Sequence, residues 1–325
     1  MIVTRSPLRL SMGGGGTDLP FYYEEEEGFL VTATMDKYVY CIVKERFEEN
    51  VRLSYSENEE VKDIQDLKND RARQILEDHN LKEHIEVVTL ADAPSGSGLG
   101  SSGAFTVGLL NAVERFKGNR LEDKELAEQA FDIEHNKLGY PCGKQDQYAA
   151  AYGRLIVLNI DSNGETSVEP LDIDEETIEK LEENIQLFYT GQLRDSSKVL
   201  EAQKKQILSK DKKMEKMRKI KAIGKEIKEE LEKGNTDNFG RLLHKHWETK
   251  KKFTSKMSNP EIDKAYKKAK EKGALGGKIM GAGGGGFFMF YVNKDRSEFR
   301  KEMEETGLRY MDFKFDTDGT TVVHE

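Results

Sequence analysis

Residues 94–103 read PSGSGLGSSG, four glycines and four serines in ten positions, and no other stretch of this 325-residue chain restricts its fold as tightly. Glycine loses more backbone freedom on ordering than any other residue, and serine buries little apolar surface, so such a run weakens a fold unless it has a task. Before it stands HIEVVTLADA (84–93), alternating apolar and polar as a half-buried strand does; after it, AFTVGLLNAVERFKG (104–118) reads as a buried helix. A strand, a glycine loop and a helix in that order aim loop N–H groups and the positive helix end at one place, which suits a phosphate chain. Ser101 and Ser102 add hydroxyls that donate to phosphate oxygens or ligate Mg²⁺. The run Gly98-Leu99-Gly100-Ser101-Ser102-Gly103 also has the G-x-G-x-x-G form of a dinucleotide fingerprint. A plain surface turn would account for the glycines but not for the apolar elements on both sides.

The chain is longer than most single cores, so two domains sharing one cleft are expected. Hydrophobic residues at 36%, with 15 Phe and 12 Tyr, suffice for packed cores and exclude disorder, although 34% of residues are charged. Acidic residues outnumber basic ones, 60 to 51, for a net charge of −9, which removes nucleic acid as a default partner. The start, MIVTRSPLRLSMGGGG, lacks an apolar leader, and no apolar run approaches a bilayer span. Two cysteines, Cys41 and Cys142, make no disulfide framework, so a cytoplasmic protein with no membrane partner is expected. His244 and His246, two apart, point to different faces of a helix and read as surface or packing residues rather than metal ligands.

Strand patterns also cover VTATMDKYVYCIVKERF (31–47), GRLIVLNID (153–161) and NIQLFYTG (184–191). Helical spacing covers 61–79 through Ile64, Leu67, Ile75 and Leu76, and 121–139, which has acids in its first turn and Gly139 placed as a C-cap. The polar stretch 162–176 reads as the junction between domains 1–170 and 171–325. DSSKVLEAQ (195–203) then opens a long helical region. Its part 210–233 carries Met217, Ile220, Ile223, Ile227 and Leu231 on one face, while its lysines, mixed with glutamates, read as a solvated face. Helices near 235–254 and 259–273, a second glycine loop and a βαβ-like tail complete the chain.

Two further glycine segments and a pair of acids stand out. SPLRLSMGGGGTDLPFY (6–22) sets Arg9 on a strand before Gly13–Gly16, Thr17 and Asp18: a cation, a close-packed backbone and an acceptor for hydroxyls. A tight turn with Asp18 capping a helix fits the same residues. KIMGAGGGGFFMFYV (278–292) puts a glycine run before a buried strand, either as a hairpin or as a cover over a ligand. In DIEHNKLGYPCGKQDQYAAAYG (132–153), Glu134 and Asp146 could hold a metal and face a hydroxyl; equally, Asp146 could cap QYAAAYG and Glu134 be a surface charge.

SPLRLSMGGGGTDL, PSGSGLGSSGAF, the Glu134 to Asp146 segment and KIMGAGGGGFF resemble, in this order and spacing, the three motifs and catalytic acid of the GHMP kinases. The resemblance spans almost the whole chain and displaces the dinucleotide reading, which would need its loop near the chain start in a parallel βαβ repeat. It implies an α+β fold of two domains, ribosomal-protein-S5-domain-2-like and then ferredoxin-like, with ATP and substrate in the cleft between them. It assigns Pro94, Ser95, Gly96, Ser97, Gly98, Leu99, Gly100, Ser101 and Ser102 to the ATP phosphates, and Ser102 and Glu134 to Mg²⁺. Asp146 is the implied catalytic carboxylate with Arg9 beside it. Gly14, Gly15, Gly16, Thr17, Asp18, Gly283 and Gly284 are implied at the substrate.

Within the superfamily PLRLSMGGGGTDLPFY is most similar to the heptose 7-phosphate kinases, which phosphorylate the anomeric hydroxyl of a sugar phosphate. Where galactokinases carry Gly-Glu-His-Thr-Asp, the positions before Thr17 are all glycine, so the side chains that grip galactose are missing. A glycine-only loop offers N–H groups, which suits a substrate phosphate. Gly103 stands where many members have alanine, a change expected to be tolerated. A kinase of a free sugar such as fucose, and a non-catalytic sensor on the same fold, are the alternatives, and a homodimer is an assembly the reading allows.

Overall fold

The computed structural model describes residues 1–192, 210–253, 257–281 and 283–325; the expected helix start at 195–203 lies outside them. Strand β1 (Ile2–Gly13) pairs antiparallel with the 18-residue β2 (Gly28–Glu45), Ile2 opposite Val43 and Gly13 opposite Val31. The length of β2 lets its other edge take two partners. Val39–Glu45 pairs with β5 (Ile85–Ala91) and Gly28–Ala33 with β6 (Leu155–Ile160). Strand β3 (Val51–Ser54) lies parallel to β5 and antiparallel to β4 (Asn58–Val61), and β7 (Thr166–Pro170) pairs with β6. Helix α3 (Ser101–Phe116) covers this sheet, its Val107, Leu110 and Val113 joining Leu8, Leu10 and Cys41 in one core.

The second sheet runs β11 (Arg309–Met311), β8 (Ile185–Tyr189), β10 (Phe287–Tyr291), β9 (Gly276–Ile279), with antiparallel neighbours throughout. Because β10 and β11 both oppose β8, helix α10 (Arg296–Glu304) joins two parallel strands with β8 between them, the split βαβ of a ferredoxin-like domain. Phe188, Phe288, Phe290, Phe299, Trp247 and Tyr266 fill its core. Helices α7 (Lys210–Glu232) and α8 (Thr236–Lys250) pack together, and α7 also lies on β1 and β2, which brings the two sheets to one cleft. Strand β12 (Thr321–His324) returns to pair with β1, so the first sheet draws on residues from both sides of position 170.

Several elements differ from the spacing-based expectation for local reasons. Helix α3 starts at Ser101, not 104, because Gly100, at φ 78°, turns the chain into it. The helix expected over 61–79 is a 3₁₀ turn at Ile64–Asp66 and then α2 (Asp70–Asp78), since Asp63 caps Gln65 N at 2.9 Å and Asn69 caps Ala72 N at 3.1 Å. The helix expected over 121–139 is α4 (Asp123–Phe131) running into a π-helical turn, Asp132–Lys137. Within 162–176 lies β7, and α6 (Glu175–Asn184) begins there, capped by Asp174 on Thr177 N at 2.8 Å.

Candidate active site

A cleft of about 450 Å³ opens where β1, the 94–103 loop, α7 and the 278–286 loop meet. Arg9 leaves β1 at the cleft floor with its side chain 6% exposed. Its Nε and Nη2 donate to Asp146 Oδ1 at 2.9 and 2.8 Å, its Nη1 donates to Gly98 O at 2.6 Å, and its backbone N donates to Leu99 O at 2.9 Å. One arginine therefore ties the strand, the glycine loop and the acid together. Both guanidinium contacts fall on Oδ1, so Asp146 Oδ2 stays outside the clamp, in a side chain 33% exposed to the cleft. Asp146 sits in the first turn of α5 (Gln145–Tyr152) and does not cap it.

Glu134 is no surface charge: the π-helical turn carries it inward to 2% exposure. Its Oε1 accepts from Arg71 Nε at 3.1 Å and from the Thr106 hydroxyl, and its Oε2 accepts from Gln147 Nε2 at 3.2 Å. Arg71 stacks 4.2 Å over the Tyr140 ring, and Tyr140 in turn donates its hydroxyl to Asp70. Ser102, in the first turn of α3, lines the cleft with Ser95, Gly96, Gly98, Gly100 and Ser101. Among the described residues no side chain caps that helix start, which leaves the N–H groups of its first turn directed at the cleft as an anion site. Pro94, Ser97 and Leu99 are not cleft-lining. Ser97 and Leu99 are fully buried, and Ser97 O accepts from Phe287 N at 3.0 Å, which docks the loop on the second sheet.

The donor chemistry fits Mg²⁺. A hydroxyl and a carboxylate are hard oxygen ligands of the number Mg²⁺ takes from protein when phosphates supply the rest. Beside Glu134, Gln147 Oε1 is a buried acceptor with no partner among the described residues.

The first glycine segment is more occupied than its composition implies. Gly16 N donates to Asp18 Oδ1 at 2.9 Å, Thr17 N to Gly14 O at 3.2 Å and Leu19 N to Gly16 O at 3.3 Å. Thr17 is buried, with its hydroxyl on Gly14 O and Phe29 O at 2.9 and 2.7 Å. Gly14 packs against Gly224 of α7 and does not line the cleft, whereas Gly15, Gly16 and Asp18 do. The N–H groups of Gly16 and Thr17 are thus unavailable to a substrate phosphate. Asp18 Oδ2 accepts from Gln145 N at 3.0 Å, next to the acid. Burial pushes the Asp18 carboxyl up from its ordinary value, the Gln145 N–H bond opposes this, and the Asp146 charge adds to it.

In the third segment Gly281 lines the cleft, while Gly283 and Gly284 lie against Met257 and are not cleft-lining. Lys250 donates to Gly281 O at 2.5 Å. Lys278 is buried, and burial, then the charges of Lys250 and Arg9, push it well below the ordinary lysine value. His246 is a fully buried packing residue, and His244 pairs through Nδ1 with the Tyr266 hydroxyl at 2.8 Å. Gly103 meets the acid directly, since a Cβ there would lie 2.6 Å from Asp146 Cβ; alanine would fit only with movement of α5.

Sequence reasoning missed Arg71, Tyr140, Lys213 and Lys250, all of which line the cleft. Arg71 sat in an unremarkable amphipathic pattern. Lys213 belonged to the lysine-rich stretch read as solvated, and only the docking of α7 on β1 shows which of its faces meets the cleft.

Two family models match the chain, GHMP kinases N terminal domain over residues 68–154 and GHMP kinases C terminal over residues 227–307. The chain is 32% identical to the D-glycero-alpha-D-manno-heptose 7-phosphate kinase of Campylobacter jejuni, over 98% of this chain and 97% of that protein. It is 27% identical to the galactokinase of Pyrococcus furiosus over 64% of each. Its structure superposes, with a TM-score of 0.83 at 28% identity, on a D-glycero-D-manno-heptose 1-phosphate kinase from Bacteroides thetaiotaomicron, covering 100% and 99% of the two chains. The chain belongs to the GHMP kinase family. It is a phosphotransferase with an alcohol group as acceptor, and ATP is the donor its family uses. No helix among the described residues is long and apolar enough to cross a membrane.

Proposed function

We propose that the enzyme phosphorylates, in the cytoplasm, the anomeric hydroxyl of D-glycero-D-manno-heptose 7-phosphate to the 1,7-bisphosphate, on the route to nucleotide-activated heptose. Near-complete coverage of the Campylobacter kinase supports the substrate class. The observation that carries the chemistry is the Arg9 clamp, which holds one oxygen of Asp146, leaves the other outside the clamp, and through the same guanidinium holds the Gly98 carbonyl of the glycine loop.

Phosphoryl transfer depends on positioning and charge neutralisation more than on covalent chemistry. Asp146 Oδ2 orients the acceptor hydroxyl and takes its proton as the hydroxyl oxygen bonds to the γ-phosphorus and the bond from that phosphorus to the β-phosphate oxygen breaks, releasing ADP. Arg9 keeps Asp146 in place and contributes positive charge beside the transferring group. The first-turn N–H groups of α3 receive phosphate oxygens. Mg²⁺ held by Ser102 and Glu134 would offset charge on the β- and γ-phosphates.

The test is ADP release across heptose 7-phosphate, hexose 6- and 1-phosphates, free sugars including fucose, and mevalonate. Turnover of heptose 7-phosphate at a kcat/KM at least about tenfold above the others is expected. Turnover of a free sugar alone would overturn the assignment.

A further inference from the structure

Helix α1 (Pro20–Glu26) begins from Leu19 without a side-chain cap, so Asp18 does not serve as its cap. Asp18 instead ties two elements together: its Oδ1 accepts from Gly16 N at 2.9 Å and its Oδ2 from Gln145 N at 3.0 Å. The second bond fixes the first residue of α5, immediately before Asp146. The side chain that Asp18 thereby positions carries amide N–H groups that are unused. Gln145 lines the cleft together with Asp146, is 6% exposed, and its Nε2 is buried with no hydrogen-bond partner among the described residues. An orphaned buried N–H costs free energy, which a ligand oxygen at the cleft would return. The last torsion of a glutamine is soft, so the amide can turn either its N–H or its carbonyl to a hydroxyl.

The glycine turn leaves a gap beside this amide. A Cβ built on Gly15 would lie 3.6 Å from Gln145 Oε1 and 2.7 Å from Ser11 Oγ, and all three residues line the cleft. Ser11 comes from β1, two residues beyond Arg9 and so on the same face of the strand. Gly14 and Gly16 stand at φ 76° and 98°, whereas Gly15 has no such left-handed backbone. The missing side chain at position 15 therefore serves space rather than backbone conformation.

We propose that Gln145, with Ser11 at the same gap beside Gly15, is a specificity-determining residue that binds the ring hydroxyl next to the one being phosphorylated. This inference rests on the reading of the enzyme as a kinase of an anomeric hydroxyl. With Asp146 on that hydroxyl, the residue before Asp146 falls to a neighbouring oxygen of the sugar. The C2 hydroxyl both donates and accepts, which suits an amide and a serine hydroxyl, whereas the ring oxygen on the other side of the anomeric carbon only accepts. Wild type, Gln145→Met and Gly15→Ala are compared on heptose 7-phosphate and on its 2-deoxy analogue, with ATP varied separately and thermal unfolding measured for each. Setting the enzymes side by side on the same two sugars cancels what the missing hydroxyl does to the sugar's own reactivity.

Wild type is expected to prefer the parent sugar about 10- to 100-fold in kcat/KM, the scale of a hydrogen bond whose loss leaves a buried partner unpaired. In Gln145→Met that preference should fall to within about threefold, because only the parent sugar loses a contact, while the KM for ATP stays within about twofold. Gly15→Ala fills the gap and should lower the preference at least about threefold, with Tm within about 5 °C of wild type. Should Gln145→Met fail to fold, the preference measured in Gly15→Ala decides. If wild type does not turn over heptose 7-phosphate, the substrate reading beneath this inference fails. If it does, and either shows no preference for the parent sugar or keeps its preference in the folded variants, Gln145 is a packing residue and the role given to it is wrong.

Discussion

Replacing Arg9 by lysine keeps the positive charge and removes the fork. In the native clamp three side-chain hydrogen bonds radiate from one guanidinium, two to Asp146 Oδ1 at 2.9 and 2.8 Å and one to Gly98 O at 2.6 Å. A lysine ammonium on a flexible stem can satisfy one of these directions, so two charge-assisted bonds are lost. Each is worth about 1.5–3 kcal/mol when fully desolvated. Asp146 is 33% exposed and recovers part of the loss from water, which leaves a net loss of about 2–3 kcal/mol. Felt mainly in the transition state, that is on the order of 30- to 150-fold in kcat.

The assay is ADP release at saturating ATP and sugar phosphate, paired with thermal unfolding, which should shift by no more than about 5 °C. Combining Arg9→Lys with Asp146→Asn identifies the route of the effect. If Arg9 works by positioning Asp146, the lysine substitution adds little once the carboxylate is gone, and if it acts independently on the phosphoryl group the two losses multiply. An Arg9→Lys enzyme with kcat within about threefold of wild type would refute the clamp as the organiser of the site.

Gly98→Ala should lower Tm by about 5–10 °C. It forces a side chain into φ 84° and puts a Cβ 2.6 Å from Met280 O, whereas Gly118→Ala, at φ 82° with nothing within 4 Å, should cost about 1 kcal/mol. Equal losses in the two variants would show that the contact with Met280 carries no strain. Ser102→Ala should raise the Mg²⁺ concentration for half-maximal turnover at least about tenfold while Tm moves by no more than about 2 °C. An unchanged Mg²⁺ requirement would remove Ser102 from the metal site.

The parts of the site legible in the sequence are those whose chemistry is local to a short stretch. The 94–103 loop could be read because glycines and serines between an apolar strand and an apolar helix have few other uses. The pairing of Arg9 with Asp146 followed from the resemblance alone, since 137 residues separate the two and no periodicity links them. Glu134 depends on a π-helical turn that a 3.6-residue period does not anticipate, and on Arg71, whose stretch looked like one helix until Asp63 and Asn69 capped it into two. The glycine turn misled in a particular way. Composition reveals which N–H groups exist, and only the folded chain reveals that Asp18 and Gly14 accept two of them.

The return of β12 to β1 also orders events during synthesis. The segment leading to β12 threads tightly past α5: Thr320 N donates to Ala150 O at 2.8 Å, and a Cβ on Gly319 or Gly153 would overlap the facing backbone. Helix α5 carries Asp146 at its other end. A ribosome that has delivered every glycine motif and both acids has therefore not yet delivered the brace behind the acid's helix. Emergence of residues 318–324, rather than completion of the motifs, is the point at which the nascent chain gains that brace.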